Sequence, residues 1–258
     1  MPKLSVTIIS KNEAPDIAAA LESVRWADEI IVVDSQSTDE TVSIARRYTP
    51  RVVVRQWPGY KDQKNYAASI AANDWILSLD ADERVTPGLA EEIRGALAAE
   101  PAARGFRIPR VNWHLGRWVR TTDWYPDYQT RLYDRRSAQW TGTYVHESVA
   151  VRGRVDTLRG ELQHFAYRDI AEHLETIDRY TTLAARQMHE SGRRAGPFDL
   201  VGHPPLAFLR NYVAKGGFRD GRAGFIISAL NSYYVFLKFA KLWELDHRER
   251  FAGKNDRR

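Results

Sequence analysis

The first hundred residues alternate short apolar runs with segments whose apolar side chains recur at helical spacing. The predicted strands are residues 4–10, 29–34, 51–55 and 75–80, and the predicted helices are residues 14–24, 37–47, 61–72 and 87–99. Ile17, Leu21 and Val24 illustrate the helical spacing in the first of these helices. Strands that alternate with helices form mainly parallel sheets with helical crossovers, so the pattern predicts an α/β domain.

Two local signals fix predicted helix starts. Ser37 followed by Glu40 is a capping pattern, which places the start of the second helix at Ser37. Pro87 stands in the first turn of the fourth helix, where the missing N–H of proline leaves no hydrogen bond unmade.

After about residue 100 the predicted strands are shorter and the loops between them are rich in aromatic residues. Strands are predicted at 106–114, 128–134 and 145–151, and helices at 169–190, 206–215 and 222–245, with a break at 192–205. Four of the eight tryptophans fall between residues 113 and 140, which suits a cleft for a ring-shaped ligand or simple core filling. We therefore divide the chain into a catalytic domain, residues 1–191, with halves 1–100 and 101–191, and a helical extension, residues 192–258.

The composition narrows the possible classes of site and compartment. Hydrophobic residues make up 43% and charged residues 28% of the chain, as in ordinary globular proteins. Because there is no cysteine, disulfides and thiolate metal sites are excluded, and any metal must bind Asp, Glu, His or water. The first ten residues have a strand pattern in place of a charged segment followed by a long apolar one, so we expect a cytoplasmic protein.

The C-terminal segment is both basic and apolar. Residues 193–258 hold 13 Lys or Arg and 6 Asp or Glu, while the remainder carries a net charge of −2. A basic end on a nearly neutral body favours an anionic partner for that end, either lipid headgroups, a phosphorylated saccharide or nucleic acid. We expect no nucleic-acid binding, since no nucleic-acid motif accompanies these charges.

The last predicted helix, residues 222–245, has a broad apolar face. Its uncharged run, residues 223–237, has 15 residues, fewer than the roughly 20 that span a bilayer. An interfacial helix at the inner face of the cytoplasmic membrane fits this pattern. A helix packed on the catalytic domain or in a homodimer fits it equally well, and both interpretations remain open.

The sequence Asp80-Ala81-Asp82 follows a short apolar strand. Two carboxylates spaced i and i+2, where a strand gives way to a loop, can point toward one cation. Carboxylate oxygens suit Mg²⁺ or Mn²⁺, and such an ion can neutralise a diphosphate leaving group. Solvated loop carboxylates are common, so this motif alone is weak.

Acidic residues also follow the first two strands. Glu13 comes shortly after the first strand, while Asp34 ends the second and Asp39 follows it. In parallel sheets ligands bind beyond the carboxyl ends of the strands, and carboxylates there can accept hydrogen bonds from a uracil or a ribose. Asp39 fits the first turn of its helix equally well.

Residues 4–13, the Asp34-x-x-Ser37-x-Asp39 run, Lys64-Asn65 and residues 79–83 together resemble family 2 glycosyltransferases with the GT-A fold. The resemblance implies a nucleotide-binding half, a metal-dependent donor site and inversion at the anomeric carbon. It also implies that Glu13 and Asp34 contact the nucleoside and that Asp82 is the principal metal contact. Asp80 would contact the ribose, or the metal through water.

Three segments of the second half resemble the lipopolysaccharide inner-core glucosyltransferases of that family. They are residues 127–133, 140–147 and 217–221. This resemblance extends over nearly the whole chain and implies UDP-glucose as donor and a heptose of the lipopolysaccharide core as acceptor, which would be lipid-linked.

Inversion by direct displacement needs a base for the acceptor hydroxyl and positive charge near the departing diphosphate. We predict Glu147 as the base, with His146 as the alternative base or a diphosphate contact. His164 is a candidate metal ligand or diphosphate contact, with a structural histidine as the other interpretation. Arg131 and Lys64 could hold the phosphates or be surface ion-pair partners.

Two other functions remain open. A polyprenyl-phosphate glycosyltransferase would have much the same first hundred residues. A non-catalytic subunit that binds nucleotide sugars and docks on membranes would need neither the Asp80/Asp82 pair nor a base, and both are present.

Overall fold

The computed structural model describes residues 2–142 and 147–255. Its strands are β1 Leu4–Ser10, β2 Glu29–Asp34, β3 Val52–Val54, β4 Trp75–Asp80, β5 Glu83–Val85, β6 Gly105–His114, β7 Arg117–Val119, β8 Asp127–Asp134, β9 Ala138–Thr141, β10 Ser148–Val151, β11 Val155–Thr157 and β12 Leu162–His164. Its α-helices are α1 Ile17–Ser23, α2 Thr41–Ala45, α3 Tyr60–Ser69, α4 Pro87–Ala98, α5 Ile170–Glu190, α6 Pro197–Val201, α7 His203–Leu209 and α8 Gly221–Asn255. Shorter helical turns of 3-10 type lie at Thr122–Trp124 and Gly217–Asp220, and a π-helical turn lies at Arg210–Ala214.

The main sheet is mixed, with a parallel half made by the first four strands. Its order is β3-β2-β1-β4-β8-β6-β12-β5, and β1 pairs in parallel with both β2 and β4. β8 runs antiparallel to β4 and β6, and β12 lies parallel to β6 and antiparallel to β5. The predicted GT-A class, a mainly parallel mixed sheet with flanking helices and a C-terminal helical extension, is confirmed.

Helices cover both faces of the parallel half. All seven residues of β1 are buried, as expected for a central parallel strand with helices on either side. Alternate strand residues point to opposite faces. Val6, Leu77 and Leu79 thus share a core cluster with the apolar faces of α1 and α4, and Ile31 and Ile76 share another with α3.

The chain forms two compact units. Unit 1 comprises Met1–Asn112 and Pro126–Ala166, and unit 2 comprises Trp113–Tyr125 and Tyr167–Arg258. Helix α5, which we assigned to the catalytic domain, lies in unit 2 because it packs along α8, where Ala185, Phe239 and Leu242 are buried together. The compact units therefore do not follow the predicted boundary at residue 191, and the assignment of functions to the two predicted domains stays a prediction.

Several predicted helix boundaries are wrong; α8, for example, continues to Asn255, ten residues beyond its predicted end. Two of the errors have a clear cause. Helix α2 begins at Thr41, because Ser37 does not cap it: the Ser37 hydroxyl donates to Asp34 Oδ2 at 2.5 Å and accepts from the backbone N–H of Asn12 at 2.8 Å. The predicted break at 192–205 contains α6 and the start of α7. Proline is tolerated in the first turn of a helix, and Pro197 and Pro204 occupy such positions.

Helix α8 is held to α5 by polar contacts as well as apolar ones. Lys241 Nζ lies 2.7 Å from both the carbonyl and a carboxylate oxygen of Asp178, and 2.9 Å from Thr181 Oγ1. By length and composition alone, Gly217–His247 could also cross a membrane, which the shorter uncharged run did not predict. Core helices of soluble proteins meet the same criterion, and the contacts of Lys241 are those of a helix packed on protein.

Candidate active site

Asp34 stands at the carboxyl end of β2 and is fully buried. Its carboxylate accepts hydrogen bonds from Ser10 Oγ at 3.0 Å, Ser37 Oγ at 2.5 Å and the Ser37 backbone N–H at 2.8 Å. The structure therefore uses Asp34 to hold the loop that follows β2 against the end of β1. Its contact with a nucleoside stays a prediction.

The loops that follow β1 and β2 are joined to each other. Asp39 is exposed and accepts from Thr41 and from the backbone N–H of Ala14 at 3.1 Å, while the Glu13 N–H donates to Thr41 Oγ1 at 2.7 Å. Slight burial raises the pKa of Asp39, but these hydrogen bonds lower it by more, so the pKa lies below its usual value. Glu13, half-buried, and Asp39 thus lie in adjoining loops at the edge of the sheet where we predicted nucleoside contacts.

Asp80, at the end of β4, belongs to a buried ion network. Lys64 Nζ lies 2.8 Å from one carboxylate oxygen of Asp80, and Arg131 Nη2 lies 2.6 Å from the other. The same Arg131 nitrogen lies 2.6 Å from Glu83 Oε1, which Arg110 approaches to 3.1 Å. Lys64, Arg131 and Glu83 are all buried, so the interpretation of Lys64 and Arg131 as surface ion-pair partners is wrong.

The network keeps Asp80 ionised. Burial raises the pKa of Asp80, but the charges of Arg131 and Lys64 outweigh it and hold the pKa well below its usual value. Burial lowers the pKa of Lys64, and Asp80 offsets part of that change. Each oxygen of Asp80 is thus paired with a cation of the protein. Asp80 is therefore the weaker candidate for a metal ligand, and Asp82 is the stronger one.

The Lys64-Asn65 pair on α3 holds strand β9. Lys64 Nζ lies 4.3 Å from the centre of the Trp140 ring. The Asn65 side chain accepts from the Trp140 N–H and donates to the Trp140 carbonyl, each at 2.9 Å, as a neighbouring strand would. This motif therefore joins the helix that carries a buried cation to the hairpin of β9 and β10.

Asp82 faces His164. The pairing of β12 with β5 and β6 places His164 beside Glu83 on one side and Asn112 on the other. His164 Nε2 lies 3.1 Å from Asp82 Oδ2, and His164 Nδ1 lies 2.6 Å from Asn112 Oδ1. Because an amide oxygen only accepts, Nδ1 carries the hydrogen. Nε2 then donates to Asp82 when the ring is protonated and presents its lone pair, as a metal ligand must, when the ring is neutral.

This arrangement fits a divalent cation. Asp82 Oδ1 is buried and, among the described residues, has no hydrogen-bond partner. A carboxylate and an imidazole that face each other with lone pairs are the ligands of Mn²⁺ sites, and the second nitrogen is oriented by a polar side chain, as metal-binding histidines require. No group of three or more acidic or histidine ligands occurs in the part of the chain that the structure describes, so the remaining ligands would be phosphate oxygens and water.

The predicted base lies at the edge of the described residues. Glu147 is half-buried and immediately precedes β10, whose Ser148 pairs with Thr141 of β9. His146, the alternative, lies outside the described residues. The choice between them stays a prediction.

Three site residues were not assigned from the sequence. Glu83 stands inside the motif that carries Asp80 and Asp82, and its position directly after them was the available signal. Asn112 and Arg110 had no local signal, because only the pairing of β6 with β12 and β8 brings them to the site.

Residues 5–156 match the family model described as glycosyl transferase family 2. The lipopolysaccharide core biosynthesis glycosyltransferase LpsC of Rhizobium meliloti (strain 1021) is 33% identical over 253 residues, 95% of this chain and 94% of LpsC. An uncharacterised glycosyltransferase of Rickettsia prowazekii (strain Madrid E) is 32% identical, covering 95% of this chain and 88% of that protein.

Among solved structures, glucosyl-3-phosphoglycerate synthase of Mycobacterium tuberculosis, in complex with Mn²⁺, uridine diphosphate and glucosyl-3-phosphoglycerate, is similar over 43% of this chain and 44% of its own, with a TM-score of 0.38 and 22% identity. The match to the family model covers more than half of the chain, and the relatives match along nearly all of it. The chain therefore belongs to glycosyltransferase family 2, as its strand-end motifs indicated.

Proposed function

We propose that this glycosyltransferase moves a hexose, glucose in our assignment, from a UDP-sugar to a saccharide of the lipopolysaccharide core, with inversion at the anomeric carbon. The acceptor in this proposal is a heptose. The full-length similarity to LpsC, a protein named for lipopolysaccharide core biosynthesis, supports this substrate class.

The observation that carries the reaction type is the arrangement of Asp82, His164 and Asn112. The unpartnered Asp82 Oδ1, judged among the described residues, and the lone pair of His164 Nε2 favour a bound Mg²⁺ or Mn²⁺. When bound, such a cation supplies positive charge to the diphosphate of the donor.

The chain's own residues would do the rest. Lys64 and Arg131 hold Asp80 at the end of β4. There the carboxylate of Asp80 can accept a hydrogen bond from a ribose hydroxyl. Glu13 and Asp39 lie in the joined loops beside it, where the nucleoside would bind. Glu147 takes the proton of the acceptor hydroxyl as that oxygen bonds to the anomeric carbon and the bond to the diphosphate breaks, with His146 as the alternative base.

Unit 2 carries features that favour a membrane-associated acceptor. Five of its exposed apolar side chains form what we name the apolar surface, namely Leu206, Leu209, Val213, Phe218 and Phe225. The ring of Phe225 lies 5.7 Å from that of Tyr212, which lies 6.5 Å from that of Phe218, so the members from α8 and the 3-10 turn are close together. Apolar side chains beside exposed cations suit an anionic bilayer surface, and we propose peripheral association with the inner face of the cytoplasmic membrane.

The test measures release of uridine diphosphate from a panel of UDP-hexoses, with core saccharide as acceptor and with Mn²⁺, Mg²⁺ or chelator. We expect acceptor-dependent release that chelator abolishes. Asp82→Asn should lower the rate by at least about a hundredfold, because it removes the anionic ligand. The matched control is Asp62→Asn, which changes an exposed carboxylate on α3.

Other outcomes would replace the proposal. Release only with polyprenyl phosphate would change the acceptor class. Binding of UDP-sugar without turnover on any acceptor would favour a non-catalytic subunit. Full activity in chelator, unchanged in Asp82→Asn, would contradict the role of the metal.

A further inference from the structure

Unit 2 contains a cavity of about 420 Å³ between α5, α7, α8 and the Thr122–Trp124 turn. Its volume lies at the lower end of the range for small-molecule sites, about 300–1,000 Å³. Four aromatic side chains line it, namely Trp124, Tyr167, Tyr180 and Tyr234. The cavity is made entirely by unit 2 and includes none of the residues assigned to the donor site.

The orientation of Trp124 is fixed by two amide side chains, one half-buried and one buried. Trp124 Nε1 donates to Asn231 Oδ1 at 3.3 Å, and Asn231 donates to Asn211 Oδ1 at 3.0 Å. Asn211 is fully buried and also accepts from the backbone N–H of Asp123 at 2.8 Å. A ring held by such a network is already in place before a ligand arrives, which lowers the entropy lost on binding.

His173 is part of the same wall. Its ring stacks on Tyr167, with ring centres 4.3 Å apart and planes 13° apart. Burial, with a smaller effect of His114, lowers the pKa of His173 to about 4, so the ring is neutral at pH 7. His173 Nδ1 is buried and has no hydrogen-bond partner among the described residues, and with almost no accessible surface it offers a ligand in the cavity no contact. The contribution of His173 to the wall is therefore its stacked, uncharged ring.

Lys238 places a positive charge at the same cavity. The side chain is half-buried, and its Nζ lies 4.7 Å from the centre of the Phe239 ring and 6.0 Å from that of Tyr234. Within the described residues no carboxylate oxygen lies within 4 Å of this nitrogen, whereas the other cation that lines the cavity, Arg210, is paired with Asp123. Burial lowers the pKa of Lys238, and the charge of Asp199, which acts from beyond ion-pair distance, offsets part of that change. A partly desolvated ammonium that touches no carboxylate attracts an anion.

These features together select one class of ligand. A sugar ring has apolar C–H faces that pack on aromatic rings, and its hydroxyls bond to polar atoms such as a tyrosine hydroxyl. We propose that the cavity binds a sugar ring that carries a phosphate or a carboxylate, with the anionic group on Lys238 and the ring among Trp124, Tyr180 and Tyr234. Together with the proposed function, on which this last step rests, the cavity recognises an acidic sugar of the acceptor.

Binding is tested on the full chain by saturation-transfer NMR and calorimetry. The probes are glucose 6-phosphate, glucuronic acid, glucose and inorganic phosphate. We expect the two acidic sugars to bind at least about tenfold more tightly than glucose or phosphate alone, the difference that one charge-assisted hydrogen bond supplies. Lys238→Met, which keeps the aliphatic stem, should remove that difference, and Lys3→Met, at an exposed lysine of unit 1 outside the cavity, should retain it.

A second variant tests sugar binding in the cavity without changing the charge of Lys238. Tyr234→Phe removes one hydroxyl from the cavity wall and should weaken binding of both acidic sugars severalfold, the effect of losing one typical hydrogen bond, without affecting binding of UDP. Equal binding of inorganic phosphate and glucose 6-phosphate would overturn the proposal in favour of a simple anion site. Unchanged affinity in Lys238→Met, or no binding of either acidic sugar, would also overturn it.

The transfer reaction separates this proposal from the proposed function. With core saccharide as acceptor, Lys238→Met should raise KM for the acceptor roughly tenfold and leave KM for the UDP-sugar unchanged. If the protein transfers nothing to core saccharide and still binds glucose 6-phosphate through Lys238, the proposed acceptor is wrong and the cavity assignment stands. If transfer occurs and Lys238→Met does not change KM for the acceptor or the binding of glucose 6-phosphate, the cavity assignment fails alone.

Discussion

Asp80 and Asp82 stand two residues apart in one motif, yet their surroundings differ completely. Asp80 lies between Lys64 and Arg131, whose positive charges compensate the negative charge of its carboxylate. The Asp82 carboxylate contacts His164 Nε2 and, among the described residues, leaves one buried oxygen without a hydrogen-bond partner. The spacing of carboxylates in the sequence thus predicts a site, whereas the division of roles depends on cations brought in from α3 and β8.

At the residue scale the sequence named the candidate metal ligands but not the side chain that contacts one of them. Asp82 and His164 were both candidates, and the structure brings them to 3.1 Å across 82 positions of chain. Asn112 was not a candidate, because an isolated asparagine in a strand gives no signal until the partner of that strand is known. Asp34 was a candidate for the nucleoside, but its carboxylate is used in three internal hydrogen bonds.

Replacing Asn112 by alanine should lower the affinity for Mn²⁺. The Asn112 oxygen fixes the tautomer of His164, and loss of such an orienting partner weakens metal binding by about 10- to 100-fold. The measurement is the Mn²⁺ concentration that gives half-maximal release of uridine diphosphate.

Asn112→Asp is the control for that measurement, since a carboxylate still accepts from His164 Nδ1 and should restore affinity. Equal Mn²⁺ requirements in wild type and Asn112→Ala would mean that His164 does not bind the metal. Failure of Asn112→Asp to restore affinity would indicate that the asparagine acts through its other contacts.

At the element scale, strand positions followed from the sequence more closely than helix ends. β1, β2 and β4 have the predicted bounds, because buried parallel strands are continuous apolar runs. Strands β5 and β12 have three residues each and no detectable period, so only their pairing defines them. The predicted break before α7 was wrong because prolines in the first turn of a helix resemble prolines that end one.

Gly224 lies near the start of α8, where the helix passes the backbone of Gly217. A Cβ at this position would lie 1.8 Å from the Gly217 carbonyl oxygen, so Gly224→Ala must displace the 3-10 turn or the helix. We expect a loss of about 1–3 kcal/mol or more in the free energy of unfolding, as in other overpacked sites. Urea denaturation followed by circular dichroism measures it.

Gly95→Ala is the matched control, since that glycine lies within α4 and nothing lies within 4 Å of the new Cβ. Alanine is the better helix former by about 1 kcal/mol, so this variant should be slightly more stable than wild type. A stable Gly224→Ala protein would show that α8 can move away from the 3-10 turn without loss.

At the scale of the whole molecule, the fold class followed from the sequence but the compact units did not. The alternation of strands and helices over the first hundred residues predicts the parallel half of the sheet. Unit 2, in contrast, combines a hairpin and turn from residues 113–125 with the helices after residue 167. Contacts between segments so far apart in sequence leave no local pattern. A boundary placed where the sequence pattern changes along the chain therefore could not predict these two units.

The apolar surface of unit 2 leads to the last prediction, that the protein binds anionic vesicles. Lys215, Arg219 and Arg222 are exposed within the same stretch of chain, and each cation near an anionic surface contributes about 1 kcal/mol. Co-sedimentation with vesicles containing phosphatidylglycerol should therefore be strong at low salt, weaken as salt rises, and be weak with neutral vesicles.

Leu209→Glu should reduce vesicle binding, because it places a negative charge on a half-exposed leucine of this surface. Val54→Glu is the matched control, as it makes the same kind of change at an exposed apolar residue of unit 1 and should leave binding intact. Gel filtration of the same proteins distinguishes the alternative in which a second copy covers the surface. A wild-type dimer that Leu209→Glu converts to a monomer, without any binding to vesicles, would assign the surface to a homodimer and contradict peripheral attachment through it.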